Sequence, residues 1–560
     1  MTSETTPVAA PPATKVKKRA TGFAALVAAG ILLSRVAGLV REKVFAHYFG
    51  NSVAAGAFKA ALKIPNLLQN LFGEGVLSAS FIPVYSRLLA RGEEELAGRV
   101  AGAIASLLAV LVSVLVLIGV LATPVLIDFI APGFSGPGRE LTINLVRILF
   151  PATGILVMSA WCLGVLNSHH RFFLSYVAPV IWNATMIGTM VFFGVRAGQF
   201  PLAIALAWGT VAGAVLQLGV QLPFVFRYAR SVKFRFDTAL EPVRLVVRNS
   251  VPVFIGRGAV QLSAYIDTLI ASLLGFAAVS AISFAQTIYL LPISLFGMSI
   301  AAAELPQMSG TVGSESEVNE ALRKRLSRAL RQITFFVIPS AIAFLFIGDQ
   351  LVAGLYQGGE FRSADTRLVW YILIGSTVGL LAASQARSFN SAFYALHDTK
   401  TPLRFALVRI TLTGVLGYLL AFPLRPLIIL FFTGVIHFPL PGRADAAVLM
   451  GAVGLTASAG MAGWVEFFLL RKAMERRIGP ARVDRSYQLR LWIAAILAGL
   501  GARGFGLVVV PLIVAQSWLL GRIFAAMLIA GIFGVIYFAT AFLAGVPEAK
   551  STLGRLVRRR

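Results

Sequence analysis

From residue 22 to residue 545 the chain is a succession of apolar stretches of roughly twenty residues or more, parted by Gly, Pro and clusters of charge. Fourteen can be placed, near 22–49, 57–90, 98–123, 140–167, 172–195, 201–228, 245–274, 277–304, 325–347, 366–395, 403–432, 447–473, 489–513 and 517–545. Each is long enough for a helix to cross about 30 Å of hydrocarbon. Lipid offers no hydrogen-bond partners, so every backbone N–H and C=O of such a run must be paired within the segment, and the helix does this. The expected fold class is an all-α polytopic membrane protein of about 14 transmembrane helices. The least regular boundaries fall in the Pro-rich 421–441 region and the Gly-rich 499–506 stretch, with twelve or thirteen spans as the alternative counts. Composition agrees: 58% of the 560 residues are hydrophobic and 13% charged. A soluble chain carries about 25% charged residues, and a disordered one combines high charge with low hydrophobicity. The lone Cys162 permits no internal disulfide, so packing must hold the fold.

Fifty Lys and Arg against 24 Asp and Glu give a formal net charge of +26. Their placement sets topology, because Lys and Arg are retained on the cytoplasmic side of short loops. Lys15, Lys17, Lys18 and Arg19 precede the first stretch and place the N-terminus inside; an even span count returns Arg555, Arg558, Arg559 and Arg560 to the same side. Alternate loops then put Arg87, Arg91, Arg99, Arg171, the runs Arg227 to Arg248 and Arg323 to Arg331, Lys400, Arg404 and the run Arg471 to Arg490 in the cytoplasm. The opposite loops hold Arg139, Arg196, Arg362, Arg367, Arg425, Arg443 and Arg522. Roughly thirty basic residues inside against seven outside support an even number of spans. Scattered over short loops, they form no continuous nucleic-acid surface, and attraction to anionic headgroups of the inner leaflet accounts for them. Residues 1–20, rich in Ala, Pro and Thr, read as a disordered basic tail, as do 547–560 at the other end. The stretch after residue 20 is too long and too charged for a cleaved signal peptide.

Ionisable residues at membrane depth are costly and mark function or a water-filled space. They concentrate at the start of the chain: Arg35, Arg41, Glu42, Lys43, Lys59, Lys63 and Glu74. Lys59, Lys63, Asn66 and Asn70 recur at helical spacing and draw a polar stripe, inside which Pro65 should bend or open the helix. Arg35 and Glu42, seven apart, share a face, with Arg41 about a third of a turn around. Structural ion pairs, Arg35 with Glu42 and Lys63 with Glu74, are the plainer reading, and Lys43 and Lys59 can snorkel to the interface. Four charges, Arg35, Arg41, Lys63 and Glu74, on two adjacent spans exceed the need of one pair and favour a hydrated, net positive cavity. Such a cavity suits a diphosphate, which Arg binds through two parallel hydrogen bonds.

Elsewhere Arg147, Asn183, Arg257, Asp267, Glu304, Gln385, Arg387 and Glu466 read as helix–helix hydrogen bonds or interfacial anchors. His169 and His170 read as solvated turn residues, Asp365 and Asp398 as loop residues, and Trp161, Trp182 and Trp208 as packing or interface aromatics. No Walker loop, HExxH or paired acidic motif is present, so neither a catalytic residue, a metal site nor a cofactor is expected.

The stretch 34–85, SRVAGLVREKVFAHYFGNSVAAGAFKAALKIPNLLQNLFGEGVLSASFIPVY, resembles the N-terminal signature of the MurJ (MviN) family, the lipid II flippases of the multidrug/oligosaccharidyl-lipid/polysaccharide exporter superfamily. APGF at 131–134, LAWGTVAGAVLQLGVQLP at 206–223, LPQMS at 305–309 and FYALHDTKTP at 393–402 continue the resemblance in order over most of 22–480. It implies an N-lobe of spans 1–6 (21–230), a pseudo-symmetric C-lobe of spans 7–12 (231–474) and a C-terminal helix pair (475–546) that helps form a groove for a polyprenyl tail. It also implies alternating access around a cationic cavity in the bacterial cytoplasmic membrane, both termini cytoplasmic, with cell-wall synthesis proteins as further partners.

Carried over by position, Arg35 and Arg41 match the arginines of the family's SRxxGxxR motif, Glu42 its following acidic residue, and Asn66 and Glu74 the PN and EG positions. Arg35 and Arg41, with Lys63, are expected to bind a diphosphate, Asn66 to bond sugar or phosphate, and Glu42 and Glu74 to position the cations or switch partners. Three positions depart from the family: Gly56 stands where Asp is usual, and Gln69 and Thr287 where Arg is usual. Lys59 and Lys63 on the same helix partly restore positive charge. The leading expectation is a flippase moving lipid II from inner to outer leaflet. A flippase for another polyprenyl-linked glycan, a cation-coupled exporter and a non-transporting envelope-synthesis scaffold stay open, whereas dispersed carboxylates and short loops disfavour a membrane enzyme.

Overall fold

A computed structural model of the chain describes residues 13–309, 314–516 and 520–550. Among them it is helical throughout, the one β feature being an isolated bridge between Gly358 and Phe361. Helix occupies every one of the fourteen apolar stretches. Ten helices among the described residues are long and apolar enough to cross a membrane, and the pair Ser363–Thr377 and Leu380–Ala395, bent by 46°, makes an eleventh. The remaining three stretches are carried by Ala13–Phe49, by Val53–Phe72 with Glu74–Ala90, and by Glu241–Leu273, where charged and amide side chains concentrate. The first helix begins at Ala13, inside the stretch 1–20 read as a tail, because Lys, Arg and Ala favour helix. Arg555, Arg558, Arg559 and Arg560 lie outside the described residues.

Interruptions follow residue chemistry. Val53–Phe72 continues through Pro65, and the break comes at Gly73, whose ψ of −147° leaves the helical region. The expected span 403–432 ends as a helix at Ala421: Pro423 has no N–H to donate and restricts the residue before it, and Phe422 sits at φ −119°, ψ −81°. A short helix, Arg425–Leu430, and a π turn, Phe431–Val435, follow. A second π turn, Ile293–Met298, follows Pro292. The bend at 378–379 is set by packing: a Cβ on Gly379 would collide with the Gly460 backbone, and the Trp464 indole donates to the Val378 carbonyl at 2.7 Å. The Gly-rich 499–506 stretch lies inside the unbroken helix Arg485–Gln516.

Two units divide the chain. The first comprises Met1–Phe45, Ala61–Pro124 and Ile143–Ala259. Phe81, Val100, Ile104, Trp161, Cys162, Val165 and Val246 are buried at its centre, where the Trp161 indole donates to the Ala101 carbonyl at 3.2 Å. A buried relay crosses it: Gln217 donates to Ser159 at 2.8 Å and Ser159 to the Gln221 side-chain oxygen at 2.6 Å, which pairs these three groups away from water, while the Gln221 Nε2 is buried without a partner among the described residues.

The second unit comprises Ala46–Ala60, Val125–Thr142 and Val260–Arg560. Here Phe335 and Ile338 on Glu315–Phe346 pack against Leu491 and Ala495 on Arg485–Gln516 and Phe533 and Tyr537 on Leu520–Leu543. The Tyr537 hydroxyl donates to the Phe335 carbonyl at 2.6 Å, the partner a buried phenol requires. A second cluster joins Leu326, Phe389, Phe393, Phe467 and Met474.

Candidate functional site

In the first unit Arg41 leaves the Ala13–Phe49 helix toward Phe172–Gly194. Its guanidinium donates to the Asn183 side-chain oxygen at 3.0 Å and to the Glu42 carboxylate at 2.9 Å, and lies 5.2 Å from the centre of the Trp182 ring. Asn183 donates back to the Pro179 carbonyl at 2.9 Å, and Trp182 to the Thr210 carbonyl at 3.2 Å. Both anchors are therefore fixed before they meet the arginine. Glu42 is 9% exposed at the side chain and Arg41 18%, so the pair is largely desolvated while the guanidinium keeps an open edge. A carboxylate, an amide and an aromatic face hold this cation by three different interactions, which suits a fixed anion-binding group.

The other expected site residues lie as follows. Arg35 is exposed on the same helix as Arg41. Lys63 and Asn66, about one turn apart, are half-buried on Val53–Phe72, and Asn70 is exposed. Lys59, in the second unit, stands 5.3 Å from the centre of the Phe284 ring. Glu74 opens the helix Glu74–Ala90, but its side chain lies outside the described residues, as do those of Arg257 and of Leu305, Pro306, Gln307 and Ser309 in LPQMS. The structure thus joins Arg41 to Glu42, and adds Asn183 and Trp182, which the sequence marked only as a helix–helix hydrogen bond and a packing aromatic.

Each neutral position has a packing setting. A Cβ on Gly56 would strike the Phe276 carbonyl, so this helix can approach that backbone only as glycine. The Thr287 hydroxyl donates to the Ser283 carbonyl one turn back at 3.1 Å, and Gln69 is half-buried with its carbonyl accepting from Gly73 at 2.8 Å.

Two turns differ from their reading as solvated or loop segments. The His169 ring meets the Tyr85 hydroxyl at 3.0 Å and stacks on Tyr228; burial lowers its pKa below the ordinary histidine value. Asp365 is buried: it accepts from the Arg362 N–H at 2.9 Å and from the Arg443 guanidinium at 2.5 Å, while Arg443 also holds Asp445 at 2.9 Å. Asp398 is a loop residue, with Thr401 donating through its backbone at 2.9 Å and its hydroxyl at 2.7 Å, and Arg477 donating at 2.5 Å. The Thr401 backbone N–H in particular holds the Asp398 carboxyl below the usual carboxylate range.

The sequence reading missed charged residues at mid-helix, Arg409 and Arg503, the latter donating to Asp349 at 2.6 Å from within Arg485–Gln516. Arg409, near the middle of Lys400–Ala421, pairs with Glu466 of Gly451–Ile478 at 3.1 Å. A single arginine in an otherwise apolar span was the available signal. Among the described residues no group of three or more His, Cys, Asp or Glu could hold a metal ion.

Comparison with known proteins gives a consistent setting. The sequence model of the family described as Lipid II flippase MurJ matches residues 45–538. A probable lipid II flippase MurJ from Rhizobium tropici is 28% identical over 544 residues, covering 95% of this chain and 96% of the relative. The lipid II flippase MurJ of Burkholderia cenocepacia is 30% identical over 457 residues, covering 80% and 82%. Among solved structures, a lipid II flippase MurJ in an inward closed conformation superimposes with a TM-score of 0.67 at 22% identity, over 92% of this chain and 99% of that one. An inward-facing multidrug resistance MATE transporter of the MOP superfamily reaches 0.57 at 16% identity, over 78% and 96%. The match over residues 45–538 places this multi-pass helical membrane protein: the chain belongs to the MurJ family of lipid II flippases.

Proposed function

We propose that the chain translocates lipid II, the undecaprenyl-diphosphate-linked peptidoglycan precursor, from the inner to the outer leaflet of the bacterial cytoplasmic membrane by alternating access. The observation that carries this reading is Arg41, held by Glu42, Asn183 and Trp182 inside apolar helices of a chain that belongs to this family. Arg35, Arg41 and Lys63 bind the diphosphate, Asn66 hydrogen-bonds sugar or phosphate, and Glu42 and Glu74 hold the cations in position or exchange partners as the two states interconvert. The lobes comprise 21–230 and 231–474, with 475–546 as an added helix pair, and both termini are cytoplasmic. No bond is made or broken: the work lies in the differential stability of two arrangements, which membrane potential can bias by about 2.3 kcal/mol per charge per 100 mV. Anionic lipids neutralise the cytoplasmic loops, and cell-wall synthesis proteins are the natural neighbours of such a carrier.

The neutral residues Gly56, Gln69 and Thr287 favour, as a second reading, a flippase for a different polyprenyl-diphosphate glycan. Expression in cells depleted of their own lipid II flippase tests both. The wild-type chain should restore exposure of the precursor at the outer face, and Arg41→Ala at equal abundance should not. A well-expressed wild type that leaves the precursor inaccessible overturns the lipid II reading.

A further inference from the structure

The second unit holds a cluster of charge and amide that the proposed substrate site does not use. Arg387 on Leu380–Ala395, Arg409 on Lys400–Ala421 and Glu466 on Gly451–Ile478, each near the middle of its helix, come together with Tyr289 from the last turn of Phe276–Pro292. Arg409 pairs with Glu466 at 3.1 Å, and Arg387 lies within electrostatic range of Tyr289, Arg409 and Glu466. Two guanidiniums thus stand near one carboxylate that is paired with Arg409 alone, so positive charge exceeds negative among these groups. The Arg387 Nε is buried without a hydrogen-bond partner among the described residues, and so is the side-chain oxygen of Asn390, one turn along the same helix. Buried donors and acceptors normally find partners, and leaving one unmade costs about 1–3 kcal/mol, more for a charged group. The Arg409 side chain is nevertheless 33% exposed while Glu466 is 10% exposed, so one edge of the cluster is open. A guanidinium partly exposed at the middle of an apolar helix faces water or a polar ligand in preference to lipid tails.

We propose that Arg387 and Arg409 form an oxyanion-binding site in the second unit, occupied by a phosphate or carboxylate of the lipid-linked substrate, with Asn390 accepting from an adjacent hydroxyl or N–H of the same ligand. Glu466 holds Arg409 in place and competes with the ligand for it, so the pair can open when substrate arrives. The site rests on the lipid II reading above and adds to it a binding determinant remote in sequence from Arg41.

Native mass spectrometry of the full chain with lipid II, and separately with undecaprenyl diphosphate, tests the site. Arg387→Gln should weaken lipid II binding by about tenfold, the loss expected for one charge-assisted hydrogen bond, with Arg387→Lys recovering part of it. Weakening toward both ligands assigns the site to phosphate, and weakening toward lipid II alone assigns it to a carboxylate of the peptide. Glu466→Gln separates this from a purely structural ion pair: removing the competing carboxylate should tighten binding, whereas a structural pair predicts no gain. Unchanged affinity in Arg387→Gln, at a melting temperature close to wild type, overturns the site. Absence of lipid II binding by the wild type would instead strike at the function itself.

Discussion

The polar residues buried in the two units are organised in opposite ways. In the first, one arginine, Arg41, is tied by a carboxylate, an amide and an aromatic ring, the amide and the ring each anchored to a backbone carbonyl. In the second, Glu466 pairs with Arg409 while Arg387 stands within electrostatic range, its Nε without a hydrogen-bond partner among the described residues. A cation held on three sides is preorganised and costs little to orient when a ligand arrives, whereas a carboxylate paired with one guanidinium and near a second leaves room to exchange partners. The difference suits a fixed anchor in one unit and a yielding one in the other.

The contrast can be broken by substitution. Arg41→Ala should have the largest effect, a loss of flipping of about a hundredfold or more, because it removes the guanidinium proposed to bind the diphosphate through charge-assisted hydrogen bonds. Asn183→Ala should cost less, about tenfold, since Glu42 and Trp182 still hold the guanidinium. Equal losses in the two variants, measured by precursor exposure in depleted cells, would show that Arg41 works only through Asn183. Arg443→Ala should lower stability by about 3 kcal/mol in thermal melts of the purified chain without altering substrate affinity, because the buried Asp365 loses its 2.5 Å partner. Gly56→Asp, which restores the residue usual in the family, should destabilise by about 2 kcal/mol and gain no transport, because the Phe276 carbonyl occupies the space of the new Cβ.

The smallest effect concerns pH at the 393–402 turn. The Asp398 carboxyl titrates below its ordinary value in the folded chain, so its stabilisation is complete above the unfolded pKa and fades as pH falls through the folded one. Paired with an exposed Arg477 at the rim of the protein, the half-buried carboxylate should contribute about 1 kcal/mol or less. Amide protection factors over this turn, corrected for the intrinsic exchange rate, should fall below pH 4 (about the ordinary Asp value), and Asp398→Asn should remove that dependence.

Helices and apolar stretches were legible because hydrocarbon leaves a backbone one economical solution, and the positions of the fourteen runs needed only residue order. Breaks were less legible. Pro65 carries the stronger sequence signal, yet the helix yields at Gly73, because a proline costs one hydrogen bond while glycine can leave the helical region without steric penalty. Arg41 and Glu42 stood out through their crowding with other charges in a short stretch. Asn183 and Trp182 did not, since their role depends on how Phe172–Gly194 packs. Arg409 showed in the sequence only as one charge in an apolar span; its partner did not, because only the fold brings Glu466 to it from 57 residues on (466 − 409).

The account stands most directly on transport by the purified chain. Reconstituted in proteoliposomes with fluorescent lipid II in both leaflets, the wild type should render the protected inner-leaflet pool accessible to an external enzyme or quencher, and Arg41→Ala should not. Protection of that pool to the same extent in wild-type and empty vesicles, with the chain folded and inserted, would contradict the account.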